Sequence, residues 1–172
     1  MNYFHRQIQL WGEQTQRALS DKRILIIGAG GLGSSLSYAL GASGIGRISV
    51  VDFDTVAPHN IHRQFDLILD ATDNLATRAQ IDAFAKQIGV PWVFASVDSW
   101  QCQVCFVQNA DFKFFPSLNA TPAGITAAIV MFAASFEANL ALRYLAGLEV
   151  EKDLLYYANF FGGELELRKI KL

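Results

Sequence analysis

Ile24-Leu25-Ile26-Ile27-Gly28-Ala29-Gly30-Gly31-Leu32-Gly33 is the stretch that decides the fold. Four branched apolar residues in a row, with no alternation, suit a strand buried on both faces of a parallel sheet. The glycines that end the run match G-x-G-x-x-G. In that pattern the first glycine permits a tight turn, the second lets phosphate approach the backbone, and the third lets a helix pack close to the strand. Residues 32–42 are small, apolar and helical in character. The start of such a helix offers free N–H groups and a partial positive charge to an anion. Asp52 then ends the next strand about 20 residues on, where a ribose-binding carboxylate belongs.

Working outward, residues 3–19 have helix-like spacing. Strands are predicted at 47–52, 66–70, 91–97 and 103–107. Asp73 or Asn74 caps a helix over 75–88, with Ala79, Phe84, Ala85 and Ile88 facing inward. A polar, proline-containing connection leads to a long apolar helix between 123 and 146. Residues 154–172 resemble a β-hairpin turning at Gly162-Gly163. Strands alternating with helices imply a single α/β domain over 1–172. Its sheet is Rossmann-like, doubly wound and mostly parallel, with helices on both faces and an antiparallel C-terminal edge. One spacing conflicts with this plan. Only residues 53–65 separate two strands, whereas a parallel crossover needs a helix of about 10–12 residues plus loops. Either the two strands are not neighbours, or a crossover segment is missing between Gln64 and Phe65.

Composition excludes several classes. The 172 residues are 52% apolar and 17% charged, which rules against disorder. A net charge of −2 argues against broad binding to nucleic acid or anionic lipid. The run 123–146 carries Glu137, Asn139 and Arg143, so it reads as a buried helix, not a membrane span. The N-terminus lacks an apolar core of signal-peptide length. A cytoplasmic, soluble protein is the expectation.

The glycine loop alone leaves NAD, FAD, S-adenosylmethionine and ATP open. The block Asp52-Phe53-Asp54-Thr55-Val56-Ala57-Pro58-His59-Asn60-Ile61-His62-Arg63-Gln64 narrows the choice. It is dense in groups that bind phosphate, ribose or metal. Together with Phe4-His5-Arg6-Gln7-Ile8-Gln9-Leu10, the glycine loop and Asp70-Ala71-Thr72-Asp73-Asn74, this block resembles the ThiF/MoeB/HesA adenylyltransferases, relatives of the ubiquitin-activating enzymes.

The resemblance implies an ATP- and Mg2+-dependent enzyme. It would adenylate the C-terminal glycine carboxylate of a small ubiquitin-like sulfur carrier of the MoaD/ThiS type, in molybdopterin or thiamin biosynthesis. By position, Gly28, Gly30, Gly31 and Gly33 would cradle phosphate and Asp52 would hold the ribose. Asp54 would bind nucleotide or shape the turn. Asn60 and Arg63 would contact phosphates, with Gln64 beside them. Asp73 would bind magnesium, with Asn74 adjacent. Arg6 would cross a homodimer interface as an arginine finger; its plainer role is a surface ion pair. No nucleic acid or membrane partner is implied.

The chain also departs from that pattern. The family's catalytic lysine falls in the segment that is short here. Many relatives carry two zinc-binding C-x-x-C pairs, but only Cys102 and Cys105 occur. An offset of three along a strand points them to opposite faces, so zinc is not expected. His5, His59 and His62 read as polar loop histidines. Phe112, Phe114 and Phe115 would anchor a loop or receive the carrier's tail. The rival readings are a NAD-dependent oxidoreductase, an enzyme adenylating a modified tRNA base, and a degenerate nucleotide-binding scaffold.

Overall fold

In a computed structural model, which describes residues 3–52, 65–112 and 124–172, four helices and seven strands follow one another. They are α1 (His5–Ser20), β1 (Arg23–Ile27), α2 (Gly31–Ala42), β2 (Arg47–Val51), β3 (Leu67–Asp70) and α3 (Leu75–Ile88). There follow β4 (Trp92–Asp98), β5 (Gln101–Val107), α4 (Ala127–Leu145), β6 (Leu154–Asn159) and β7 (Glu166–Lys171). One sheet takes all seven strands in the order β2-β1-β3-β4-β5-β6-β7. The first four are mutually parallel, and β5, β6 and β7 are antiparallel to their neighbours. This is the α/β architecture expected, with the antiparallel part at the C-terminal end. The strands β2 and β3 are not neighbours: each pairs with β1 from its own side.

Ile24 and Ile26 on β1 and all four residues of β3 are buried, as unbroken apolar runs in a two-sided parallel sheet should be. One core layer lies between the sheet and α2 with α4, holding Ile24, Ile26, Leu36, Leu40 and Phe106. The other lies under α3, holding Ile68, Ile81, Trp92, Phe94 and Phe112. Phe112 therefore anchors in the core against Trp92 and Phe94; Phe114 and Phe115 lie outside the described residues. Cys102 belongs to the first layer and Cys105 to the second, so the two thiols do face opposite ways. Burial pushes the Cys102 thiol up to about 11 and that of Cys105 up to about 12, as suits inert core groups.

The buried stripe of α4 includes Ala133, Ala134, Ala138 and Ala141, small residues about one turn apart that let the helix approach the sheet closely, and one carboxylate, Glu137. By length and composition alone α4 could cross a membrane; here it covers the sheet.

Two helices differ from expectation. Gly12, at φ +85°, breaks α1 into two segments. The buried side of α3 is Arg78, Ile81, Asp82 and Ala85, while Ala79 and Ile88 are exposed. The apolar pattern of α3 is weak, and two polar residues set its face because each finds buried partners. Asp82 accepts from the Trp92 Nε1–H and the Phe112 N–H, and Arg78 pairs with Asp70.

Candidate functional site

Parallel pairing puts the carboxyl ends of β1, β2 and β3 on one edge of the sheet, and backbone bonds knit them together there. The Gly28 N–H donates to the Val51 carbonyl at 2.7 Å, and the Ala71 N–H donates to the Ile27 carbonyl at 2.8 Å. Open α/β sheets bind ligands in the crevice beyond such ends.

The three glycines of the motif meet three different surroundings. Gly28 sits at φ +108°, and a Cβ there would lie 2.3 Å from the Ala71 carbonyl oxygen. A Cβ on Gly33 would lie 2.0 Å from the carbonyl oxygen of Gly28. Both positions exclude any side chain, for the turn and for the close helix packing respectively. At Gly30 a Cβ would meet nothing within 4 Å, so the loop opens outward there. Gly31 begins α2 beside Val130. The N-cap Gly30 provides no side-chain cap, which leaves the first amides of α2 for an anion.

Asp52 stands at the end of β2 and accepts a hydrogen bond from the Ala29 N–H at 2.8 Å. Its carboxylate is thus held against the glycine loop. Asp73 lies beyond β3, exposed and with no hydrogen-bond or ion-pair partner among the described residues. Asn74 caps α3: its Oδ1 accepts from the Thr77 N–H at 2.7 Å, and its amide nitrogen has no partner in that cap. The structure therefore joins Gly28, Gly30, Gly31, Gly33 and Asp52 to the turn that carries Asp73 and Asn74. Asp54, Asn60, Arg63 and Gln64 lie outside the described residues, as do His59 and His62.

Arg6 is not part of this cluster. It is exposed on α1, and its neighbour Gln7 bonds the carbonyl of Ala42 at the far end of α2. With 12 residues, α2 holds the two points about 18 Å apart.

Under the tip of β3 lies a group of charges that the sequence reading did not assemble. Asp70 is fully buried. Its Oδ2 accepts from Arg78 Nε at 2.7 Å, and its Oδ1 accepts from the Thr72 N–H and hydroxyl at 2.9 and 2.6 Å. Arg78 Nη2 also donates to the carbonyls of Thr72 and Ala95, and its guanidinium lies 5.1 Å from the Phe94 ring centre. Burial pushes the Asp70 carboxyl up, while Arg78 and the Thr72 donors pull it back. With donors on both oxygens, Asp70 is the ionised partner of Arg78. Glu137, from α4, is fully buried nearby, and neither oxygen has a hydrogen-bond partner of ordinary geometry. Burial first, then the Asp70 carboxylate, push it well above the ordinary range, only partly offset by Arg78 and the Asp70 N–H. Buried without a donor, Glu137 is pushed toward its neutral form. The one signal for it in the sequence is a carboxylate inside an apolar run; Arg78 gave none beyond its place a turn after Asn74.

Among the described residues no three His, Cys, Asp or Glu side chains converge as a closed metal site. A magnesium ion needs less, since it takes one or two carboxylates and completes its shell with phosphates and water. Asp73 fits that role because Asp70, three residues away, is already committed to Arg78.

A profile of the ThiF family matches residues 4–65 and 64–172. The chain belongs to the ThiF family. It is 29% identical to the molybdopterin-synthase adenylyltransferase of Escherichia coli (strain K12), with 84% of this chain and 82% of the relative aligned. That alignment runs over 210 positions. Because 84% of 172 residues fills only some of them, nearly a third set residues of the relative against none of this chain. A probable adenylyltransferase/sulfurtransferase MoeZ of Mycobacterium tuberculosis is 30% identical over 139 residues, covering 54% of this chain but 36% of the relative. Several relatives of this two-function kind are spanned only to about a third of their length. Among solved structures, E. coli MccB with ATP superposes at a TM-score of 0.77 and 14% identity, over 99% of this chain and 71% of that one. At such identity the likeness concerns the fold.

Proposed function

We propose that this ThiF-family chain adenylates the C-terminal carboxylate of a small ubiquitin-like sulfur carrier of the MoaD/ThiS type, releasing pyrophosphate. The observation that carries the reading is the meeting of the glycine loop, Asp52 and the Asp73 turn at one edge of the sheet. The relative named molybdopterin-synthase adenylyltransferase, aligned over most of both chains, supports the same chemistry.

The attacking carboxylate has an ordinary pKa of about 3.5, so it is ionised at neutral pH and needs no general base. The difficulty is to bring an anion to the α-phosphorus of a polyanion. Positioning and fixed positive charge meet that difficulty. The amides of the glycine loop and the start of α2 face the phosphates, and Asp52 orients the ribose. Arg63, with Asn60 and Gln64 near it in sequence, supplies planar donors to phosphate oxygens. Asp73 would hold magnesium, which neutralises phosphate charge when bound. Since Arg6 lies far from the loop of its own chain, it serves a second copy in a homodimer.

A second reading has its own support. The family profile matches in two pieces that meet at residues 64–65, where the strand spacing is short and where the family resemblance would place a lysine. A chain without that crossover segment would bind nucleotide and transfer nothing. The experiment is ATP–pyrophosphate exchange by the full chain with Mg2+ and purified carriers. Exchange that depends on a carrier with an intact C-terminal glycine supports adenylation. Binding of Mg-ATP without exchange from any carrier supports the scaffold, and preference for NAD supports an oxidoreductase.

A further inference from the structure

We propose that Arg78 is a positioning residue: with Asp70 it forms a buried brace that fixes the turn presenting Asp73 and Asn74 to the glycine loop. The proposal rests on the adenylation reading for what the turn is for, and on geometry alone for what holds it.

Arg78 ties three separate pieces of chain. Its Nε bonds Asp70 at the end of β3, and its Nη2 bonds the Thr72 carbonyl in the turn and the Ala95 carbonyl in β4, at 2.7, 2.6 and 3.0 Å. Thr72 is engaged through all three of its polar groups, because its N–H and hydroxyl both donate to Asp70. On the other side of Asp73, the side chain of Asn74 is engaged in the cap of α3. Asp73 therefore hangs between two anchored residues and is itself exposed. The turn is also docked to the nucleotide loop: Ala71 bonds Ile27, and its carbonyl oxygen fills the space where Gly28 would carry a Cβ.

Glu137 reaches the same point from α4, across the sheet from α3. The charges of Arg78 and Asp70 cancel, so a third full charge in this core would be uncompensated. Burial without a donor favours the neutral form of Glu137, which leaves the pair balanced. Lysine in place of Arg78 keeps the charge but loses the planar fork, so it cannot reach β3, the turn and β4 together.

The test is the Arg78→Lys variant of the full chain, measured in two ways. In hydrogen exchange, the amides of residues 71–74 should open about tenfold faster, corresponding to loss of one or two buried hydrogen bonds. Those of β1 and α4 should keep their protection. In ATP–pyrophosphate exchange, kcat should fall about tenfold or more and half-maximal rate should need more Mg2+, while KM for the carrier stays within about twofold. If Arg78→Lys does not fold, Thr72→Val removes one donor to Asp70 and should move both readouts the same way, less far. Unchanged exchange at 71–74 overturns the brace. Faster exchange with unaltered kcat and Mg2+ requirement overturns the positioning role. A wild-type chain that adenylates nothing defeats the functional reading instead, and hydrogen exchange still decides whether the brace exists.

Discussion

Buried carboxylates are treated in opposite ways in the two halves of the sheet. In the antiparallel half, Asp153, in the turn before β6, accepts from the N–H groups of Gln108, Asn109 and Ala110 and from the Asn109 amide. Burial pushes its carboxyl up, but those donors outweigh it and hold it below the ordinary range. It is a complete local solution, made by one turn for another. In the parallel half, Asp70 needs an arginine from a different element, and Glu137 has no such set of donors. The first arrangement secures a loop. The second stores charge beneath an edge where three strand ends and an exposed aspartate converge. Antiparallel strands send their ends to alternate edges, so β5, β6 and β7 cannot gather groups at one point as β1, β2 and β3 do.

The contrast can be broken most severely at Gly33. Gly33→Ala sets a methyl 2.0 Å from the Gly28 carbonyl oxygen, a backbone atom that cannot step aside cheaply. We expect a loss of about 3 kcal/mol or more in denaturant unfolding, or failure to fold, together with loss of nucleotide binding. Wild-type stability in that variant would mean that the loop and α2 are not packed as described.

Paired truncations sharpen the comparison of the two halves. Leu69, in β3, is fully buried, whereas Ile170, in β7, is half exposed. Leu69→Ala should cost about 2–5 kcal/mol in chemical denaturation and Ile170→Ala clearly less, about 1 kcal/mol or below. Similar losses at the two sites would erase the distinction between a core strand and a surface strand.

The subtlest test is the pH dependence of stability. Glu137 has its folded pKa raised above its unfolded one, with Asp70 and Arg78 the charges that act on it. In the window above the unfolded value of about 4.3, the folded state binds more protons, so stability falls as pH rises toward the folded pKa. Glu137→Gln, neutral at every pH, should flatten that decline in unfolding curves taken from about pH 4 to pH 9. An unchanged slope would show that Glu137 is not the group responsible.

Much of the site was legible because its parts are local. The glycine spacing carries its steric reasons within ten residues, and Asp52 follows from where a strand ends. Cys102 and Cys105 facing opposite ways is simple strand arithmetic. The buried face of α3 was read only in part: Ala85 and Phe84 do pack inward, but Arg78 and Asp82 look like surface residues until Asp70, Trp92 and Phe112 arrive beside them. Gly12 likewise sits in a helical pattern without announcing the break that its positive φ makes.

The strand-glycine-helix unit, the parallel character of the first strands, the closing hairpin and the family were all written into the order of residues. These depend on short-range sterics and on the period of apolar residues, which a chain carries in its order. Folding had to settle that β2 and β3 flank β1, that Arg6 stands at the far end of α2, and that Arg78 meets Asp70 in the core. Pairing across the sheet and charge compensation are set by which distant groups exclude water together, and no local pattern encodes that.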